Sequence, residues 1–161
     1  MTKEMPEELS SALIGEDELG LAIRSHLYIE NLLDELLRTL IPFPDHYDEM
    51  NLTYALKVKL ACAMGLDPEL KSMLLVLGSI RNQFSHNLNK RIDETMVKDL
   101  HSKVAAKVRE DMPWILAQLR DDGKKVSFQD AHPRDQYFAL VSSLWVILNS
   151  AIAQAKDEIH A

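Results

Sequence analysis

The sequence predicts an all-α fold, an antiparallel bundle of about five or six helices forming one domain. Three observations predict it. Apolar residues recur at three- and four-residue intervals through several long segments, as a helix with one buried face requires. Proline, glycine, aspartate and asparagine stand at the ends of those segments, where helices start and stop. No stretch alternates apolar and polar residues in the manner of a half-buried strand. At 161 residues the chain can bury about 70% of the surface its unfolded form exposes, enough for a core without crosslinks. Cys62 is the only cysteine, which excludes an internal disulfide and fits a reducing compartment; in its apolar helical surroundings it reads as core filler.

Residues 1–16, with Pro6, several glutamates and serines, read as an N-terminal arm or short helix, and residues 17–161 as the domain. The first long helix begins near Asp17. Ala22, Ile29, Leu32, Leu33, Leu36, Leu37 and Leu40 form one stripe, and Arg24, Asn31, Glu35 and Arg38 lie opposite. His26 falls about 40° from the stripe's centre at helical periodicity, so it should be at least partly buried, as a hydrogen-bonded core histidine. Glu30 and Asp34 follow it in steps of four. That is a metal-site spacing on one helix, but no second Glu/His pair answers it, so no metal and no cofactor are expected. Pro42 and Pro44 end this helix, and a loop runs to about Met50.

Asn51 is the expected N-cap of a second helix with Leu52, Leu56, Leu60 and Ala63 on its face and Gly65 as its stop. Asp67 and Pro68 open a third, whose face is Leu70, Met73, Leu74, Leu77, Ile80 and Phe84. Gly78 inside it weakens the helix by about 1 kcal/mol relative to alanine, which points to close approach by another backbone. Asp93 caps a fourth helix with Val97, Leu100, Val104, Ala105 and Val108 inward and His101 packed beside them. Met112 to Leu119 form a short fifth helix, opening with Pro113 and carrying Trp114. After a polar connection over residues 124–132, Pro133 begins a final long helix with Tyr137, Val141, Leu144, Trp145, Leu148, Ile152 and Ala155 on its face.

Several function classes lack their residues. The chain has no glycine-rich phosphate loop, no nucleophile elbow, no HExxH and no paired CxxC. Nor is there a basic-then-apolar leader at the N-terminus or an uninterrupted apolar run of about 18 residues, so a soluble, cytoplasmic protein without a membrane partner is expected. The net charge of −7 argues against a surface that coats nucleic acid throughout. Charge is segregated, however: Lys57, Lys59, Lys71, Arg81, Lys90 and Arg91 face only Asp67 and Glu69 between residues 51 and 92. One basic zone therefore sits in an acidic chain, as a plain solvated face or as an RNA-binding surface built from Lys57, Lys59, Lys90 and Arg91.

Ser79 to Asn87 breaks the pattern of the other helices, because arginine, asparagine and histidine crowd the end of an apolar helix. On one continuous helix Arg81 and His86 point about 140° apart, so a single chain does not converge them. Asn82 and His86 are an i, i+4 pair, a spacing that lets the amide orient the imidazole. Metal-free RNA cleavage needs a proton acceptor for the ribose 2′-hydroxyl, a proton donor for the leaving oxygen and a cation on the phosphate. A two-fold homodimer would supply two histidines and two arginines from one sequence.

Arg81-Asn82-Gln83-Phe84-Ser85-His86 resembles the R-x4-H motif of the HEPN superfamily of helical nucleotide- and RNA-associated proteins. The stretch from Leu52 through Asn87, with Leu60 to Leu66 ahead of the motif helix, is similar to the mannitol operon repressor-like branch of that group. The resemblance covers roughly Leu21 to Leu100, about half the chain. It implies an all-α homodimer with the motif near the subunit interface. It also implies metal-independent endoribonuclease activity of the toxin, stress or defence type, with Arg81 and His86 catalytic and Asn82 their polar helper. The toxin branch often carries tyrosine two places after the histidine, where this chain has Leu88. The repressor-like branch implies the alternative, a non-catalytic transcriptional regulator acting through a protein or nucleic-acid partner.

Overall fold

The computed structural model describes Ser11, residues 13–105, Arg109 and residues 127–160. Among the described residues there are six α-helices and no strand. They are α1 (Glu18–Leu40), α2 (Pro44–Glu49), α3 (Tyr54–Ala63), α4 (Leu70–His86), α5 (Glu94–Ser102) and α6 (Pro133–His160), with a 3-10 turn at Phe128–Asp130 before α6. The expected helix over Met112 to Leu119 lies outside the described residues, as does Val108.

The first helix is the hub. Asp17 caps it, its Oδ1 accepting from the Gly20 backbone N–H at 2.7 Å; Glu18 in the first turn and Arg38 in the last suit the helix dipole. All of the expected stripe is buried except Leu40, which is half-buried. Packed around α1 are α6 along much of its length, then α3 and α4; α5 closes the far side by packing on α4 and α6. Fully burying one leucine of this stripe contributes about 2 kcal/mol.

Four local expectations need correction. The connection after Pro42 is not all loop: Pro44 takes the first position of α2, a single proline-initiated turn anchored by the buried Tyr47. Asn51 does not cap α3. It adopts the left-handed conformation, φ 48°, which asparagine tolerates better than most residues, and so reverses the chain ahead of the true cap, Thr53. The buried residues of α3 are Val58 and Ala61, with Tyr54 half-buried, while Leu56 is exposed; apolar residues surround this helix on nearly every side, so their spacing does not single out a face. Helix α4 starts at Leu70 rather than at Pro68, because Asp67 turns the chain by accepting from the Glu69 N–H at 2.9 Å. From there its face is as expected, with Leu70, Met73, Leu74, Leu77, Ile80 and Phe84 all buried.

Gly65 ends α3 at φ 114°, with the Leu66 N–H returning to the Ala61 carbonyl at 2.9 Å. Asp93 caps α5 through the Met96 N–H at 2.8 Å. Leu13, at the end of the N-terminal arm, is fully buried, and Arg134 at the start of α6 donates to the carbonyls of Leu13, Ile14 and Glu16. That end of the arm is part of the packed domain. By length and composition α6 could cross a membrane, yet most of its apolar stretch is buried inside the bundle, where Tyr137, Val141, Leu144, Leu148 and Ile152 form core.

Candidate functional site: a cleft at the middle of the motif helix

The continuous α4 carries the whole motif and separates its two ends. His86 is the last helical residue and is exposed. Arg81 lies within the helix, half-buried, at a cleft of about 490 Å³ bounded by α1, α3 and α4. Arg81 Nη1 donates to Asn82 Oδ1 at 3.1 Å, so the Asn82 amide is turned to the arginine and not to His86. Ser85 Oγ donates back to the Arg81 carbonyl at 2.9 Å. Leu88, just past the helix, is 80% exposed.

Gly78 sits one turn before Arg81 on the same helix. A Cβ there would stand 2.8 Å from two ring atoms of Tyr54. A side chain, not a backbone, makes the close approach. Tyr54 donates from its hydroxyl to the Leu74 carbonyl at 2.9 Å and lays its ring on His26, with centroids 4.3 Å apart. The glycine thus lets an aromatic ring from α3 wedge between α1 and α4, and that wedge forms the cleft wall.

His26 is as buried as expected, 3% exposed, but its surroundings are not those of a satisfied core histidine. Its Nδ1 is buried without a hydrogen-bond partner, and the nearest carboxylate oxygen, Glu30 Oε2, is 3.8 Å away. Burial pushes its pKa down from 6.5 to about 4; Glu30 pulls it up, while Arg81 and Lys57 push it further down. The imidazole is therefore neutral at pH 7. Arg81 Nε, on the same cleft, is likewise buried without a partner.

Glu30 is held by Lys57, whose Nζ donates to Glu30 Oε1 at 2.9 Å and to Asp34 Oδ2 at 2.8 Å. Desolvation opposes the lysine charge, but Asp34 and Glu30 outweigh it and raise the Lys57 pKa. Asp34 also accepts from the Tyr47 hydroxyl at 2.5 Å. Of the i+4 series, Glu30 and Asp34 thus serve an ion-pair network that ties α1 to α3, and His26 stays outside it. Among the described residues no group of three or more His, Cys, Asp or Glu is placed to hold a metal.

The four basic residues read as RNA-binding do not form one bare track. Lys57 is committed to the two carboxylates, Lys90 Nζ is 3.6 Å from Asp93, and Arg91 Nη1 is 3.9 Å from Glu18; Lys59 is exposed. His101 packs as expected, stacked on Phe128 at 4.6 Å and with its pKa lowered by burial. Cys62 is half-buried, and burial raises its thiol pKa.

Of the cleft's lining, the motif marks Arg81 and Asn82. Tyr54 carries no motif, and His26 and Glu30 are legible only as a core histidine and an i+4 carboxylate on α1. The available signal was Gly78, a helix-weakening residue one turn from the motif arginine. Comparison of the chain with protein-family models, curated proteins and solved structures finds no match.

Proposed function

We propose that this chain is a HEPN-like, cytoplasmic helical protein that acts as a homodimer and cleaves RNA without a metal at a site composed from both copies. The observation that carries the reading is the separation along α4 of an exposed His86 from an Arg81 that faces a cleft. One rigid helix keeps the imidazole and the guanidinium apart, so a second copy is what brings both to one phosphodiester. In the reaction the ribose 2′-oxygen attacks the adjacent phosphorus while one His86 takes the 2′-hydroxyl proton. The bond from phosphorus to the 5′-oxygen breaks, and the His86 of the second copy gives a proton to that leaving oxygen. Arg81 neutralises the charge that builds on the phosphorane oxygens, and Asn82 fixes the guanidinium through the Nη1 contact.

The test is cleavage of a labelled RNA in the presence of chelator. Products ending in 2′,3′-cyclic phosphate and 5′-hydroxyl are expected, with His86→Ala folded and inactive. Equal turnover by the two proteins contradicts the assignment. A second reading is a non-catalytic, repressor-like regulator that binds a protein or nucleic-acid partner. It is favoured by the neutralisation of Lys57 by Glu30 and Asp34, which thins the basic track an RNA would follow. It expects no turnover and partner binding indifferent to His86→Ala.

A further inference from the structure

The geometry points to a phosphate-binding pocket within each single subunit, in which His26 of α1 and Arg81 of α4 together hold the oxygens of one phosphate group. The inference deepens the nuclease reading by adding a substrate contact from outside the motif, and it rests on that reading only for the identity of the natural ligand.

Two buried nitrogens on one cleft lack a protein partner, His26 Nδ1 and Arg81 Nε. Leaving a buried polar group unpaired costs about 1–3 kcal/mol, so two at one place mark a feature that folding alone does not favour. Arg81 Nε is a donor in every protonation state, and a neutral imidazole in its Nδ1–H tautomer is a donor at Nδ1. Two N–H donors on side chains that line one cleft call for a group that only accepts. A phosphate oxygen pair does so, and its negative charge suits the guanidinium.

The remaining groups on the cleft agree. Its volume, about 490 Å³, is in the range of small-ligand sites. Glu30, whose Oε2 lies 3.8 Å from His26 Nδ1, would repel an anion, but Lys57 neutralises it by holding its other oxygen at 2.9 Å. Gly78 keeps the floor low beside the imidazole, whose other nitrogen, Nε2, lies 3.9 Å from the point where a Cβ would stand. Tyr54 braces the imidazole from the other side.

The experiment is a titration of the full chain, labelled at its histidine and arginine side chains, with inorganic phosphate, a 5′-mononucleotide and a DNA dinucleotide that carries a phosphodiester but no 2′-hydroxyl. Chemical-shift changes at His26 Nδ1 and Arg81 Nε are expected with at least one of the three, and which one responds distinguishes a free phosphate, a monoester and a backbone phosphate. His26→Asn, which keeps an N–H near the Nδ1 position, should bind within a few-fold of the native chain. His26→Leu and Arg81→Gln should each weaken binding by about ten-fold, the effect of losing one good hydrogen bond to a charged group. Binding without RNA cleavage leaves this pocket standing and removes the nuclease. No shift at either nitrogen with any of the three ligands, or native affinity in a folded His26→Leu, overturns the pocket even if RNA is cleaved.

Discussion

The contact of α1 with α6 and its contact with α3 and α4 differ in which buried polar groups they leave unpaired. Where α1 meets α6, Ser25 Oγ and the Tyr137 hydroxyl are 3.1 Å apart and bonded, Ser143 Oγ donates to the Ala139 carbonyl at 2.9 Å, and large apolar side chains fill the rest. Of the buried polar atoms there, the Ser142 hydroxyl is left unpaired. Where α1 meets α3 and α4, an imidazole and a guanidinium nitrogen are both unpaired beside a cleft. One side of α1 leaves a hydroxyl unpaired, and the other leaves two nitrogens of basic side chains that line the same cleft.

That contrast can be broken most strongly from the apolar side. Leu33→Ala on α1, fully buried, should cost about 2–5 kcal/mol in chemical denaturation, because the cavity adds to the lost burial. At the cleft the analogous insult is overfilling: Gly78→Ala drives a methyl into the Tyr54 ring and should cost about 1–3 kcal/mol, with near-UV circular dichroism of the tyrosine changed. Tyr137→Phe leaves the buried Ser25 hydroxyl with only its local contact and should cost about 1 kcal/mol. His26→Leu is expected to behave differently from all three, with no measurable loss of stability at pH 7, since its Nδ1 forfeits no hydrogen bond.

The pH dependence of stability sharpens the same point. His26 has a folded pKa of about 4 against 6.5 unfolded, so between those values the unfolded chain binds the extra proton. Its contribution is fully present above pH 6.5 and is lost as pH falls toward 4. Denaturant midpoints measured across that window should decline in the native chain, and the part due to His26 should vanish in His26→Leu. An unchanged slope in the variant would mean the imidazole is not desolvated as its burial implies.

Much of this was legible in the sequence, for physical reasons that differ by element. Helices α1 and α4 are one-sided in their apolar spacing, α6 is marked by its apolar length because it is buried all round from Tyr137 to Leu144, and Asp17 and Asp93 cap where their side chains suggest. Helix α3 was oriented wrongly because leucine and alanine lie all round it, so packing and not periodicity chose Val58 and Ala61. The α2 turn is hidden because Pro44 stops one helix and also starts another. At the site Arg81, Asn82 and His86 could be named from spacing, and their divergence along a continuous helix followed from geometry. The partnership of His26 and Tyr54 with Arg81 could not, since it depends on three helices meeting, and the ion pairs that occupy Lys57 depend on the same meeting.

The composite site is tested most directly by mixing the native chain with an inactive variant. His86→Ala, folded and unable to cleave RNA alone, is exchanged into native dimers, with mixed dimers counted by native mass spectrometry. If cleavage draws its two imidazoles from two copies, a mixed dimer is inactive and activity falls in proportion to the native homodimer that remains. Mixed dimers that cleave, or a native chain that cleaves as a monomer, would contradict it.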